Sequence, residues 1–211
     1  MRIQQIASGN PSWFAVADRA FFAPNKCGYT NLKTLFAHCE SGGAYPLGLQ
    51  LTGSVRDPFV RWYSVYNQMV LNCGLAVTGK ATMINQFGAQ WTNRWFPDQL
   101  LQQHRTVDFA AAWLKCAAPE LEAWGGDLHF ASLHTAYTQL LGDDYCSYPW
   151  LDLIDVADWN TVLEPIAGHS LPIYNQGVYS QPIRVFKSLR STVYQLYWQD
   201  VDLYRKARCK R

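Results

Sequence analysis

A lysine, a glycine and a threonine that follow an apolar run could bind an anion. Residues 20–23 predict a short buried strand, and Lys26, Gly28 and Thr30 come after it, where a helical pattern begins. Glycine lets backbone N–H groups converge on an anion at the helix N-terminus, while Thr30 adds a hydroxyl and Lys26 a positive charge. The order is typical of a phosphate-binding loop, and an ordinary strand-to-helix turn with a solvated lysine is the alternative.

The lysine is not placed as in the loops that bind nucleoside triphosphates. In the pattern GxxxxGK[ST] the lysine directly follows the second glycine, whereas Lys26 precedes Gly28 here. This difference argues against ATP or GTP as the donor of a γ-phosphoryl group.

A second candidate anion site begins where another predicted strand, residues 47–53, ends. Asp57 is a favoured N-cap and Pro58 suits the first helical position, so a helix is predicted from there to about residue 72. Arg56 precedes that helix, where its guanidinium could hold a phosphate through two hydrogen bonds. Ser64, two turns into the helix, could donate to the same anion. The alternative is a capped helix in which Arg56 pairs with a carboxylate such as Asp57.

Together the two segments resemble the PAPS-dependent sulfotransferases, in particular the carbohydrate sulfotransferases; PAPS is 3′-phosphoadenosine 5′-phosphosulfate. In that family a P-K-x-x-x-T/S loop binds the 5′-phosphosulfate, and a V-R-D/N-P-x-x-R-x-x-S-x-Y segment binds the 3′-phosphate. Residues 26–31 and 55–66 are similar to these motifs, in the same order. Residues 128–130 look like the family's H-W element, 151–156 like a later strand, and 193–204 like its closing Y-x-x-D helix.

The resemblance implies a three-layer, P-loop-like α/β sulfotransferase fold with a mainly parallel central sheet. Lys26 would stabilise the oxygen that leaves toward the 5′-phosphate during in-line sulfuryl transfer. Arg56 and Ser64 would hold the 3′-phosphate and so distinguish PAPS, and its product adenosine 3′,5′-bisphosphate, from ATP. The implied nucleotide-binding residues are Lys26, Cys27, Gly28, Tyr29, Thr30, Asn31, Arg56 and Ser64.

The partners of such an enzyme are the nucleotide sulfate donor and a hydroxyl acceptor, with a sugar as the favoured class, and no metal is needed. An acceptor hydroxyl needs a base, for which histidine is suited near neutral pH. His129 is the first candidate because it lies in the H-W-like element, and His134 is the second. Six tryptophans favour a sugar or another ring as acceptor, because indoles stack on such rings; they are Trp91, Trp95, Trp113, Trp124, Trp150 and Trp159.

The remaining chain predicts more helices and one more strand. Residues 107–116 predict an amphipathic helix that ends before Pro119, and residues 188–205 predict one long amphipathic helix. Residues 150–156 predict a strand. Residues 73–106, rich in glycine and amides, predict a loop with helical pieces that forms a substrate-facing insertion. Alternating strands and helices predict a single α/β domain over the whole chain of 211 residues.

Composition excludes several classes of protein. A chain that is 49% hydrophobic and 15% aromatic can bury enough surface to fold, which excludes a disordered protein. A net charge of +2 gives no reason to expect nucleic acid as a partner. No apolar stretch approaches the roughly 18 to 20 residues of a membrane span, and no signal-peptide core is present, so a cytoplasmic location with reduced cysteines is expected.

Two other functions stay open at this point. Asn25 stands where the family has a proline directly before the lysine, which motivates a relative that binds the nucleotide without catalysis. A nucleotide or sugar kinase is the third interpretation. The position of Lys26 and the Arg56 and Ser64 pair argue against a kinase.

Overall fold

The computed structural model describes residues 13–16, 19–29, 32, 49–74, 79–125, 129–171 and 182–209. Tyr29 and Leu32 are helical, in agreement with the helix predicted after the first strand. Thr30, Asn31 and the rest of that predicted helix lie outside the described residues. No helix in the described ranges is long and apolar enough to cross a membrane.

A four-stranded sheet in the order β1-β2-β3-β4 runs through the protein. The edge strand β1 (Phe14–Val16) pairs antiparallel with β2 (Arg19–Phe22). The strands β2, β3 (Gln50–Val55) and β4 (Leu151–Asp155) are parallel to one another. The predictions of an α/β chain with a mainly parallel sheet are therefore confirmed, as are the strands expected near residues 20–23 and 150–156.

Helices cover both faces of this sheet. Alternate residues of β2 enter different hydrophobic clusters, with Phe22 on one face and Phe21 on the other, as the two-residue period of a strand requires. The helices with both ends in the described residues are α1 (Pro58–Tyr66), α2 (Lys80–Phe87), α3 (Ala89–Trp95), α4 (Val107–Ala112), α5 (Ala118–Trp124), α6 (Leu133–Leu141), α7 (Trp159–Ala167), α8 (Arg190–Leu196) and α9 (Trp198–Arg208). Helices α6 and α9 pack on the Phe22 face and α7 on the Phe21 face.

Helix α1 begins where its sequence predicts. The Oδ1 atom of Asp57 accepts hydrogen bonds from the backbone N–H groups of Phe59 (2.9 Å) and Val60 (3.2 Å), and Pro58 occupies the first turn. A π-helical turn, Asn67–Leu71, extends the helix to near its predicted end. The other carboxylate oxygen, Oδ2, accepts from the guanidinium of Arg190 and the hydroxyl of Tyr194, each at 2.7 Å. Asp57 thus caps α1 and also holds α8.

The prediction that Pro119 ends a helix after residue 116 is wrong. The chain continues from α4 through a π-helical turn, Trp113–Ala117, into α5, and the helical run ends at Gly125 with φ 62°. The proline is tolerated because the hydrogen-bonding pattern changes at the widened π-helical turn. Pro119 therefore lies in the first turn of α5, where a missing N–H costs little.

The prediction of one long C-terminal helix is also wrong. A 3₁₀ segment, Ile183–Leu189, leads into α8, and Tyr197 (φ −110°, ψ 44°) separates α8 from α9. After this break Asp200 lies against the N-terminus of α6, where it accepts hydrogen bonds from the N–H groups of Leu133 and His134. A pattern along one helix carries no signal for that contact with a distant helix.

The largest hydrophobic cluster is aromatic and includes Trp62, Tyr66 and Trp113. Residues 73–106 contain α2, α3 and a 3₁₀ turn, Gln102–Arg105, which fits the predicted helical pieces. Their Trp95 and Phe96 belong to the same cluster, and fully burying such a ring contributes about 1.5–3 kcal/mol. Whether this region faces a substrate stays a prediction. Of the six tryptophans singled out above, Trp95, Trp113 and Trp159 are core residues.

Gly53 in β3 allows the closest approach between the sheet and α6. The hydroxyl of Tyr137 donates to the carbonyl of Ser54 at 3.1 Å, and a Cβ at position 53 would lie 2.8 Å from two ring carbons of Tyr137. We expect Gly53→Ala to lower the free energy of unfolding by about 1–3 kcal/mol, because neither the strand nor the buried ring can move away cheaply. Urea denaturation measures the change. Gly79→Ala is the matched control, since nothing lies within 4 Å of its added Cβ, and equal stability of the two variants would contradict this packing.

Candidate functional site

The loop after β2, residues 24–28, lies beside the carboxyl end of β3, and we call it the β2 loop. Three consecutive carbonyl groups in it accept hydrogen bonds from side chains of β3, α1 and the link between them. The Nε of Arg61 donates to the carbonyl of Asn25 at 3.3 Å, and the Nη1 of Arg56 donates to that of Lys26 at 3.0 Å. The hydroxyl of Ser54 donates to the carbonyl of Cys27. The two predicted anion-binding segments are therefore in direct contact.

The turn within the β2 loop needs two residues in the left-handed region. The N–H of Cys27 donates to the carbonyl of Pro24 at 2.9 Å, Lys26 has φ 67° and Gly28 has φ 90°. At Gly28 only glycine fits, because a Cβ would lie 2.7 Å from Cδ1 of Trp159. The carbonyl of Gly28 accepts from the N–H of Leu32 at 3.3 Å, so the following helix begins at this glycine.

Three cationic side chains meet at the β2 loop. Burial, together with the positive charges of Arg56 and Arg61, lowers the pKa of Lys26 from 10.5 to about 8. Burial raises the pKa of the neighbouring Cys27 thiol to about 11, which keeps this cysteine protonated and unreactive. The cluster favours an anionic ligand, because such a ligand would offset the repulsion among the three cations.

The depressed pKa of Lys26 can be measured directly. We expect its ammonium group to titrate near pH 8, and an anion such as adenosine 3′,5′-bisphosphate to raise that pKa because it favours the charged form. Carbon NMR of reductively methylated protein follows the titration, and Lys26→Gln assigns the signal by removing it. A Lys26 signal that titrates at the ordinary value of 10.5 would contradict the burial and the cation cluster.

The structure places the other predicted nucleotide-binding residues as follows. Tyr29 follows Gly28 in the first helical turn, and its buried hydroxyl has no hydrogen-bond partner within the described part of the chain. Ser64 is half-buried on α1. Thr30 and Asn31 lie outside the described residues. The contact between Lys26 and Arg56 is therefore the part of the predicted nucleotide site that the geometry brings together most closely.

The two candidate bases lie in different surroundings. The Nδ1 of His129 lies 3.5 Å from the side-chain amide nitrogen of Asn25, the residue that precedes Lys26. This contact places His129 at the β2 loop. The Nδ1 of His134, in contrast, lies 2.8 Å from the hydroxyl of Tyr145, and the backbone N–H of His134 donates to Asp200. The histidine of the H-W-like element is thus the one that contacts the candidate site.

Two residues without a predicted role organise the site. Arg61 is 4% exposed, and its guanidinium joins two backbone carbonyls. Besides the Nε contact with Asn25, its Nη2 donates to the carbonyl of Ala131 at 2.7 Å. Asp200 is 1% exposed; burial raises its pKa to about 6, against the opposing influence of Arg61 and two backbone N–H groups. Arg61 matches the second arginine of V-R-D/N-P-x-x-R, and Asp200 matches the aspartate of Y-x-x-D. The two motifs could therefore have indicated both residues.

A narrow pocket lies between Arg61, His129 and Asp200. Its volume is about 10 Å³, close to the smallest space that admits one water molecule. Trp62 and Trp113 also line it, and the buried indole N–H of each has no hydrogen-bond partner within the residues described. The pocket is therefore bordered by an arginine and a histidine that both contact the β2 loop.

No family model, no curated protein and no solved structure matches this chain.

Proposed function

We propose that this chain transfers a sulfuryl group from PAPS to a hydroxyl acceptor, with a carbohydrate as the favoured class. The observation that carries the proposal is the hydrogen bond from Arg56 to the carbonyl of Lys26, which joins segments 30 residues apart in sequence. Each segment on its own is compatible with an ordinary turn or cap. Their contact at the carboxyl ends of two parallel strands, where α/β proteins bind ligands, supports a shared anion site.

The two ends of the nucleotide have different partners in this proposal. The N–H groups of Gly28 and Tyr29, at the start of a helix, and the Lys26 ammonium bind the 5′-phosphosulfate. The N–H of Cys27 already donates to the carbonyl of Pro24 and is not available to a phosphate. Cys27 therefore helps to shape the loop. Arg56 binds the 3′-phosphate together with Ser64, and a guanidinium can do so while one of its nitrogens stays bonded to the Lys26 carbonyl.

Transfer then breaks one S–O bond and forms another. The acceptor oxygen attacks the sulfur in line, the bond from sulfur to the bridging oxygen of the 5′-phosphate breaks, and Lys26 stabilises the charge that develops on that oxygen. The proton of the acceptor hydroxyl goes to a base. His129 is the histidine we assign to this role, because it contacts the β2 loop whereas His134 is engaged by Tyr145.

The proposal is tested by thermal unfolding of the full chain with adenosine 3′,5′-bisphosphate, with AMP and ATP as comparisons. At about 100 times the dissociation constant the bound nucleotide adds about 2.7 kcal/mol to the free energy of unfolding, which raises Tm by about 5–10 °C for a chain of this size. We expect the bisphosphate to give the largest shift, and Ser64→Ala to reduce that shift more than it reduces the shift with AMP.

An equal shift with ATP, or none with the bisphosphate, would overturn the assignment of the nucleotide. A bisphosphate-specific shift without transfer from PAPS to any tested sugar would support the alternative, a relative that binds the nucleotide without catalysis. The replacement of the family's proline by Asn25, whose carbonyl is held by Arg61, is the feature that favours this alternative.

A further inference from the structure

A second, larger cavity of about 280 Å³ opens between α5, the start of α6 and the break between α8 and α9. A cavity of about 150 Å³ holds benzene, so this one has room for a six-membered ring with substituents. Ala118, Pro119, Ala123 and Leu196 supply apolar walls, and Glu122 and Asp200 supply carboxylates. Among the residues described, no lysine, arginine or histidine lines it.

The two carboxylates have hydrogen-bonding capacity left after their contacts within the protein. A carboxylate accepts about four hydrogen bonds. Asp200 accepts two, at 2.8 and 2.9 Å, from the N–H groups of Leu133 and His134. Glu122 accepts at most three, from the N–H and hydroxyl of Ser132 and the hydroxyl of Thr135. Acceptor sites thus remain on both side chains, and they suit O–H donors of a ligand.

The cavity and the narrow pocket share a wall. Tyr197 and Asp200 line both, and the narrow pocket continues to Arg61 and His129, which contact Asn25 in the β2 loop. The cavity itself offers hydrogen-bond acceptors, the carboxylates of Glu122 and Asp200. The cavity is therefore adjacent to a pocket whose other lining residues reach the β2 loop.

We propose that the cavity binds the ring of an uncharged acceptor that carries several hydroxyl groups, such as a neutral sugar, and excludes acceptors with a carboxylate or sulfate group. The apolar walls suit the C–H faces of a ring, and the carboxylates suit its hydroxyls. A negative group would meet Glu122 and Asp200 with no cation lining the cavity, and like charges placed together oppose binding. Calling this ligand the acceptor rests on the proposed function, whereas its binding does not.

One consequence concerns the product of transfer. A sulfate ester is anionic, so a ring that has received a sulfuryl group is repelled by the same carboxylates that bound its neutral form. The cavity thereby favours release after one transfer and opposes a second sulfation of the same ring.

Saturation-transfer NMR on the full chain tests the cavity, with methyl glucoside as the neutral probe and glucuronate and glucose 6-sulfate as anionic probes. We expect methyl glucoside to bind, and the anionic sugars to bind at least about tenfold more weakly. Ala123→Leu, which fills the cavity from its exposed edge, should remove the methyl glucoside signal. Ala81→Leu, an exposed alanine on α2 away from the cavity, is the matched control and should leave it unchanged.

A charge variant separates shape from electrostatics. Gln199→Lys adds a cation to the wall and should let glucuronate and glucose 6-sulfate bind, whereas Gln199→Met should not. Equal binding of neutral and anionic sugars to the unaltered chain, or no binding of methyl glucoside, would overturn the inference. The Tm shift with adenosine 3′,5′-bisphosphate, measured on the same samples, reports the nucleotide site separately, so failure of the cavity and failure of the proposed function are distinguishable.

Discussion

Replacement of Lys26 by alanine is expected to lower the rate of sulfuryl transfer by about 10²- to 10³-fold, the usual loss when one group that stabilises developing charge is removed. The change should leave the fold intact. Lysine and alanine both have a Cβ, so the left-handed φ of 67° costs the same conformational energy with either residue. The hydrogen bond from Arg56 goes to the backbone carbonyl of residue 26, which alanine retains. Steady-state transfer from PAPS, together with the Tm of each protein, measures both expectations.

Lys187→Ala is the matched control for this prediction, because Lys187 is an exposed lysine outside the β2 loop. It should keep full activity. Transfer by Lys26→Ala at the unaltered rate would remove Lys26 from the mechanism, and a large fall in its Tm would assign the lysine a structural role instead.

Replacement of Arg56 by alanine is expected to weaken the binding of adenosine 3′,5′-bisphosphate by about 2–4 kcal/mol, or about 30- to 1000-fold. Two losses contribute. The 3′-phosphate loses a guanidinium partner, and the carbonyl of Lys26 loses the hydrogen bond that holds the β2 loop. Isothermal titration calorimetry measures the change in affinity.

Comparison with AMP separates the two losses, because AMP lacks the 3′-phosphate. We expect the affinity for AMP to fall much less than that for the bisphosphate. An equal fall for both nucleotides would mean that Arg56 acts only by holding the loop, and unchanged bisphosphate affinity would refute its assignment to the 3′-phosphate. Arg184→Ala, at an exposed arginine in the 3₁₀ segment before α8, is the control.

Local sequence signals predicted the elements that surround the β2 loop. The apolar residues of β2 lie between polar residues, and the Asp57-Pro58 pair marks the start of α1 through an N-cap and a ring with no N–H to satisfy. Interactions within a few residues determine these features, and a single sequence contains them. The strand β4 was likewise predicted from its own residues.

The features that the sequence did not predict depend on contacts between distant residues. Tyr197 interrupts the expected C-terminal helix where Asp200 reaches the N-terminus of α6, 67 residues away along the chain. Arg61 likewise binds the carbonyl of Ala131, 70 residues away. Helical periodicity describes which face of a helix is apolar and contains no information about such partners. The cavity beside Asp200 forms only from the packing of α5, α6, α8 and α9, so no stretch of sequence indicates it.

The shared carboxylate of Asp57 has a consequence for the whole molecule. One oxygen fixes the first turn of α1, directly after Arg56, and the other holds Arg190 and Tyr194, which lie 133 and 137 residues further along. Anything that shifts α8 therefore also shifts the backbone next to Arg56, and any ligand that fixes Arg56 steadies α8 in return, since such coupling is reciprocal. Helix α8 is in this sense coupled to the proposed anion site, although the residues proposed to bind the anion, from Lys26 to Ser64, all lie in the first third of the chain.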